Sequence, residues 1–440
     1  MCSCVALTWR FSRLARSMNL SEIFRKAGVS SSPSLRAARR SLRFLASFLG
    51  SFKTGSLRST GQAADLTAFC AGLSRSQPSF TAAAVAIIAA SASPYAEALE
   101  ACKAPQPVCA AREAVFGISA FDPVGSAVRI GPDLLVTNRH IVADRSTVQI
   151  TLPDKSKVEG KVVPSSFPGD LILVRAKLPE GPVLKPGTDV SDGLWTVGED
   201  ISGRQVRVYP KGRLLLPAYE GKSYARLHHT AYSQPGNSGG ALVNARGELV
   251  GVTASGGAGR FEAVPAGQIA RLREMSGPAH GEKSSAIGKN VRECTLMLEK
   301  ARRLGDKLPD KVAQVVMTSC AASENRQLFD LTGQLLGRQR KLDEAVKFFE
   351  SSLEKDPNAI NSRLGLVITL RFARRLDDAK PHIRWLLNVV PGERSIHPIA
   401  LAIGKASKDQ ALIDEALALI AKHAPNQLEA ARKFLESPAR

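Results

Sequence analysis

Aromatic side chains are scarce in this 440-residue chain, at 5% of the total with three tryptophans. Nucleic-acid surfaces pair basic patches with aromatics on which bases stack. The basic excess here, 60 Lys/Arg against 40 Asp/Glu, has no such company, so it reads as a solvated surface rather than a nucleic-acid footprint. Apolar runs are short as well. Residues 80–90 form one, well below the ~20 residues that a membrane-spanning helix needs, so no integral span is expected. No Cys-x-x-Cys motif and no Cys/His pair at zinc-ligand spacing occurs, and neither a metal nor any other cofactor is expected. A phosphate-cradling loop is missing too. Gly256-Gly257-Ala258-Gly259 carries no Lys-Ser/Thr and opens no helix.

Acids are nearly absent from the start of the chain. Residues 1–70 hold eleven Lys/Arg against two acids, and the apolar run at 80–90 then has the length of a signal-peptide core. Ala-x-Ala cleavage patterns follow at Ala90-Ser91-Ala92 and Ala96-Glu97-Ala98. Residues 1–98 are therefore expected to be a presequence, with a signal peptide within about 73–98 and an exported, periplasmic or extracellular product. An Arg/Ser-rich organellar transit peptide is the alternative. Beyond residue 98 the balance falls to 48 Lys/Arg against 37 Asp/Glu. Cys102, Cys109, Cys294 and Cys320 remain there, an even set consistent with export. Four cysteines allow three pairings. Proximity favours Cys102–Cys109 and Cys294–Cys320, with buried free thiols as the alternative.

What is present is concentrated between residues 108 and 275. Short strands such as Ala127-Val128-Arg129-Ile130 and Thr147-Val148-Gln149-Ile150 alternate with Gly/Pro/Asp/Ser turns, the pattern of a sandwich or a pair of barrels. Within it lies Gly236-Asn237-Ser238-Gly239-Gly240, whose glycines permit a tight turn that lifts a hydroxyl clear of the fold. Such a turn can also aim backbone N–H groups at an oxyanion. A serine nucleophile needs a base and a group to orient that base. An apolar strand ends at Thr137-Asn138-Arg139-His140, and Asp170 opens another at Asp170-Leu171-Ile172-Leu173, thirty residues later. His140, Asp170 and Ser238 thus follow the His-Asp-Ser chain order of the triad template. Asp144 and Asp154 compete as orienter, but neither opens a buried strand.

On these residues, 113–272 or so resemble the chymotrypsin-like serine proteases, most closely the bacterial Deg/HtrA branch. Thr137-Asn138-Arg139-His140 resembles that branch's Thr-Asn-x-His corner, residues 235–243 its nucleophile loop, and Phe261-Glu262-Ala263-Val264-Pro265 the strand closing its second barrel. The resemblance implies two packed six-stranded β-barrels with His140 as base, Asp170 as its orienter and Ser238 as nucleophile. It also implies an oxyanion hole from the Gly236 and Ser238 amides. Asn237 has no charge to offer a newly cut N-terminus, so activation by that cut is not expected. The branch's Asp ahead of the nucleophile loop is missing, its place taken by residues 227–231. By position, Ser233, Thr253, Ala254 and Ser255 are expected to line the specificity pocket. With no acid in these stretches, a small or medium apolar residue is expected there rather than Lys or Arg. His229 is a further candidate, favouring an acidic side chain unless it lies on the surface.

Residues 276–288 read as a linker, 289–322 as a helical pair and 323–440 as helical repeats. Leu336, Leu342, Asp343, Ala345, Phe349, Leu353 and Pro357 recur 34 residues later as Leu370, Leu376, Asp377, Ala379, Ile383, Leu387 and Pro391. Pro425 continues the period. This resembles the tetratricopeptide pattern, whose stacks offer a concave face to peptides. The fold class expected is therefore multidomain β plus α: a double six-stranded β-barrel followed by an α-helical, tetratricopeptide-like region. The function expected is a serine endopeptidase whose repeats recruit partners or substrates. Repeats that merely cap or dimerise the protease are the bland alternative. A silent protease-fold scaffold and a repeat-based adaptor are the other classes. No glycine-led PDZ carboxylate loop follows the β-rich region.

Overall fold

The computed structural model describes residues 102–200, 205–305 and 308–437. The expected presequence at 1–98 and its signal peptide lie outside these residues.

Six strands make the first barrel: β1 (Val115–Ser119), β2 (Gly125–Gly131), β3 (Leu134–Thr137), β4 (Thr147–Thr151), β5 (Lys157–Val163) and β6 (Ile172–Arg175). They close in the order β1-β2-β3-β6-β5-β4. In β4, Val148 and Ile150 are buried while Thr147 and Gln149 are exposed, the period-two pattern of a strand with one face on a core. Ile118, Leu135, Ile172 and Val174 fill the same interior.

The second half is a seven-stranded sheet of β7 (Leu194–Asp200), β8 (Gln205–Val208), β9 (Leu214–Leu216), β10 (Leu227–His229), β11 (Ala241–Asn244), β12 (Leu249–Gly257) and β13 (Arg260–Pro265). Its order is β8-β7-β11-β12-β13-β10-β9. Leu194 and Gly212 exchange two backbone hydrogen bonds, at 3.0 and 2.9 Å, and so bring the stretch before β9 back to β7. The second six-stranded barrel that the resemblance implied is therefore corrected to a seven-stranded sheet, with β8 a hairpin partner of β7. Among the described residues it is drawn round by this isolated bridge but closed by no strand pairing.

The helices in this part are α1 (Gln106–Ala110), α2 (Arg139–Val142) and α3 (Gln268–Glu274). Val108 of α1 is fully buried in the core between the two halves, and a Cys102–Cys109 disulfide ties the segment ahead of it.

Next come α4 (Gly281–Arg303) and α5 (Asp310–Ser323), joined by a Cys294–Cys320 disulfide. The linker expected at 276–288 is a correction. Only Ser276 to His280 connect the parts, and residues 281–288 are already helix. Between Gly281, where the helix starts, and Gly288 the sequence holds no proline or glycine, and α4 uses that second glycine. A Cβ there would lie 2.2 Å from the Ala143 carbonyl oxygen, so its absence lets α4 lie directly on the first barrel.

Three antiparallel hairpins follow: α6 (Arg326–Arg338) with α7 (Leu342–Lys355), α8 (Ile360–Phe372) with α9 (Leu376–Val389), and α10 (His397–Ser407) with α11 (Gln410–His423); α12 (Leu428–Glu436) ends the described chain. The second helices start at Leu342, Leu376 and Gln410, 34 residues apart. Val346, Phe349, Leu370, Ala379, Ile383 and Ala416 form one continuous buried seam. Between α9 and α10 the link is longer, which is why the third copy of the pattern fits poorly in sequence. No helix among the described residues is long and apolar enough to cross a membrane.

Candidate active site

β3 and β6 are antiparallel neighbours with Thr137 opposite Ile172, so the chain leaves β3 and enters β6 at the same end of the barrel. That pairing, rather than proximity in sequence, brings residues 138–140 against Asp170. Asn138 Nδ2 and the Arg139 N–H donate to the Asp170 carbonyl, at 3.0 and 3.3 Å. The His140 N–H donates to Asp170 Oδ1 at 3.0 Å, and His140 Nδ1 meets Oδ2 at 2.8 Å. Both oxygens of the carboxylate are thus engaged by one residue. An imidazole whose Nδ1–H is given to a carboxylate presents Nε2 as a base. Asp144 instead pairs with Arg292 of α4 at 3.0 Å, and Asp154 accepts from Ser156 in its own turn.

Burial favours the neutral forms of this pair, but their mutual charge and hydrogen bonding outweigh it. The Asp170 carboxyl is held below the usual carboxylate range, by His140 first and then by Arg226. For His140, burial lowers the pKa and the Asp170 charge and hydrogen bond raise it; Asp122 adds to the rise and Arg226 opposes it. The net shift is upward.

Ser238 sits in the turn at 236–240, where Gly236 (φ 99°) and Gly239 (φ 81°) adopt backbone conformations that favour glycine. A Cβ on Gly239 would also lie 2.0 Å from the Ser126 carbonyl oxygen. Ser126 of β2 anchors the turn twice, its N–H donating to the Ser238 carbonyl at 2.7 Å and its hydroxyl to the Gly236 carbonyl at 2.7 Å. Thr137 Oγ1 in turn donates to the Ser126 carbonyl at 2.7 Å. The serine loop is thereby tied to the strand that leads into His140. The Gly236 and Ser238 amides meet no backbone or side-chain acceptor among the described residues, as donors reserved for an incoming oxyanion would be. The Ser238 hydroxyl itself donates to the Ala254 carbonyl at 3.1 Å. Asn237 is buried and ties the loop to β7: Nδ2 donates to the Glu199 carbonyl at 3.0 Å, and Oδ1 accepts the Gln234 N–H at 2.8 Å.

The five pocket candidates separate. Thr253 and Ala254 lie behind the serine turn, with Thr253 exchanging backbone hydrogen bonds with Gly239 and Gly240. Ser233 donates to Asn237 Oδ1 at 3.4 Å. Ser255 turns the other way, its hydroxyl donating to Glu262 Oε2 at 2.8 Å and accepting from Arg226 at 2.6 Å, so it belongs to an ion network rather than a pocket wall. His229 is fully buried, its ring beside Phe261 at 6.2 Å between centroids. Neither ring nitrogen makes a hydrogen bond of ordinary geometry. Burial first, and then the His228 charge, push its pKa down to about 3. It is therefore a neutral core residue, neither on the surface nor poised for an acidic substrate. β10 turns it inward because strand positions alternate and its own position faces the sheet interior.

Arg226, Glu262 and Ser126 were not singled out in the sequence. Glu262 carried the clearest signal, a lone charge in the otherwise apolar Phe261-Glu262-Ala263-Val264.

Residues 125–252 match the trypsin-like peptidase domain family, a span that contains His140, Asp170 and Ser238. Over 237 residues the chain is 27% identical to the periplasmic serine endoprotease DegP of Salmonella typhimurium, covering 50% of this chain and 49% of that protein. It is 33% identical over 127 residues to the putative serine protease HhoB of Synechocystis, covering 27% of this chain and 30% of that one. The chain spans about half the length of the first of these relatives or less. Among solved structures, the HtrA-type protease AlgW with tripeptide is 25% identical over 38% of this chain and 61% of that one, with a TM-score of 0.34.

Proposed function

On the footing that residues 125–252 form a trypsin-like peptidase domain, we propose that this protein is a serine endopeptidase working through an acyl-enzyme. The observation that carries the reading is the His140–Asp170 pair, fixed at 2.8 Å and tied through Thr137 and Ser126 to a serine turn with two unoccupied amides. Among the described residues the Ser238 hydroxyl is hydrogen-bonded to the Ala254 carbonyl and not to His140, so in this reaction it leaves that carbonyl for His140 Nε2, gives up its proton there and attacks the scissile carbonyl. The oxyanion takes the Gly236 and Ser238 N–H groups. His140 then protonates the leaving amine, and a water deprotonated by the same nitrogen releases the acyl group. Asp170 stays ionised, fixing the tautomer and stabilising the imidazolium.

Ser233, Thr253 and Ala254 are the pocket residues that remain, and their lack of charge supports a small or medium apolar side chain at the cleaved position rather than Lys or Arg. A peptide library cut mainly after Lys or Arg contradicts this. The 34-residue helical spacing supports a tetratricopeptide-like stack that recruits protein partners or substrates. Two disulfides and relatives named as periplasmic support export.

Casein cleavage and partner pull-down by wild type and Ser238→Ala test the function. Cleavage is expected to fall by about 10⁴-fold or more in the variant while capture persists. Absence of cleavage by both proteins, with capture intact, favours a scaffold or an enzyme that needs an activator.

A further inference from the structure

Behind Asp170 lies a set of buried charges that the hydrolytic steps leave unused. Arg226, one residue before β10, sends Nη2 to Asp170 Oδ2 at 3.4 Å and Nη1 to Glu262 Oε2 at 3.2 Å and Ser255 Oγ at 2.6 Å. Glu262 also pairs with Arg326, the first residue of α6 in the helical region. Arg326 reaches on to Ser362 at 3.1 Å and Asp330 at 3.4 Å. Asp356, directly after α7, accepts the Arg226 backbone N–H at 3.2 Å and meets His228 Nε2 at 3.0 Å. Asp170, Arg226, Glu262, Arg326 and Asp356 are each at most 6% exposed.

Buried charges persist only where they are paired and hydrogen-bonded. Here the pairing runs in one direction, from the His140–Asp170 pair across the second sheet into α6. The flat guanidinium of Arg226 spans two carboxylates with separate nitrogens, a geometry that a lysine ammonium does not reproduce. Asp170 Oδ2 is then fixed from two sides, by His140 and by Arg226. If Glu262 lost Arg326, its charge would be left to Arg226, to the Ser255 hydroxyl and to His228, whose Nδ1 lies 3.7 Å from Oε1, and the pull drawing the Arg226 guanidinium away from Asp170 would grow.

We propose that Arg226 is a positioning residue for Asp170, and that Arg326 of the helical region, acting through Glu262, holds Arg226 in place. The hydrolytic centre is then completed by α6, and the helical region is part of the enzyme's working structure. This rests on the reading of the site as a serine endopeptidase.

The full chain is compared as wild type, Arg226→Lys, Arg326→Gln and the double variant Glu262→Gln/Arg326→Gln. Arg384→Gln, at a distant helix contact, serves as control. Hydrolysis of a chromogenic peptide is normalised to the Ser238 labelled by an alkyl fluorophosphonate. The His140 titration is followed separately by NMR in a Ser238→Ala background. Arg226→Lys is expected to lower kcat about 10- to 100-fold and Arg326→Gln about tenfold, with KM within about twofold of wild type. Arg326→Gln is expected to raise the His140 midpoint by about half a unit or more, because Arg226 moves away and its charge, which disfavours the imidazolium, acts less strongly. The double variant is expected to recover part of the loss, since the neutral amide at position 262 no longer competes for Arg226. Arg384→Gln is expected to match wild type.

A lower melting temperature in Arg326→Gln with kcat and the His140 midpoint at wild-type values overturns the proposal. If that variant does not fold, wild-type kcat and midpoint in Arg226→Lys overturn it equally. Wild type that neither cleaves peptide nor labels at Ser238 overturns the endopeptidase reading alone. The His140 titration then still decides whether Arg226 and Arg326 act on the pair.

Discussion

His140 and His229 show how far one residue type diverges with its surroundings. His140 gains a carboxylate and is pulled upward; His229 is buried and is pushed down to about 3, by burial first and then by the His228 charge. The depressed value has a stability consequence. The unfolded chain protonates His229 near pH 6.5 and the folded chain does not, so stability present above that pH is lost as pH falls from about 6.5 toward 3. At pH 5 the loss amounts to about 2 kcal/mol relative to neutral pH. His229→Leu removes the titrating group, and its melting temperature is expected to exceed that of wild type increasingly as pH is lowered from 7 to 5. Thermal scans at a series of pH values check this, and parallel curves for the two proteins refute it. Asp170 and Glu262, both held below the usual carboxylate range, add to the acid loss at lower pH in wild type and variant alike.

At the scale of elements, strand pairing and helix hairpins divide the work. The antiparallel β3–β6 pair makes the His140–Asp170 contact, and the β12–β13 pair sets Ser255 opposite Glu262. The helices α4 and α5 are held to each other by Cys294–Cys320, across 26 residues of sequence, and the pair packs against Ala143 just beyond α2. Closing a loop of that length restricts the unfolded chain by roughly 3 kcal/mol. Replacing both cysteines by serine is expected to lower the denaturation midpoint accordingly, and reduction of wild type is expected to lower it at least as far, since that opens Cys102–Cys109 as well. A variant as stable as oxidised wild type in urea melts contradicts this.

For the molecule as a whole, the contact between the β-rich part and the helices includes a set of polar pairs. Arg260 of β13 pairs with Glu393 and Asn361, Asp144 with Arg292, and Tyr224 with Glu324, around the buried Arg226–Glu262–Arg326 core. Separating the two parts would strand buried charges without partners, at a cost of several kcal/mol. They are therefore expected to unfold together. On heating, loss of peptide hydrolysis and loss of the helical circular-dichroism signal should coincide in one transition. Two resolved steps, with helices melting while hydrolysis survives, contradict this.

The amino-acid sequence by itself determined whatever is local or periodic: the glycine turn around Ser238, the strand ends carrying His140 and Asp170, the period-two strands and the 34-residue helical spacing. Each is written in neighbouring residues, because turn conformation and element periodicity are short-range properties of the backbone. Only the tertiary structure decided which charges lie buried together. Arg226 and Glu262 are 36 residues apart and Arg326 another 64 away, so no window of sequence holds the set. The same is true of His229, whose local pattern fits a surface or a core equally well, and of residues 281–288, whose helix is docked on a distant backbone carbonyl. Burial and ion pairing depend on what the rest of the chain brings alongside, and that is settled by packing.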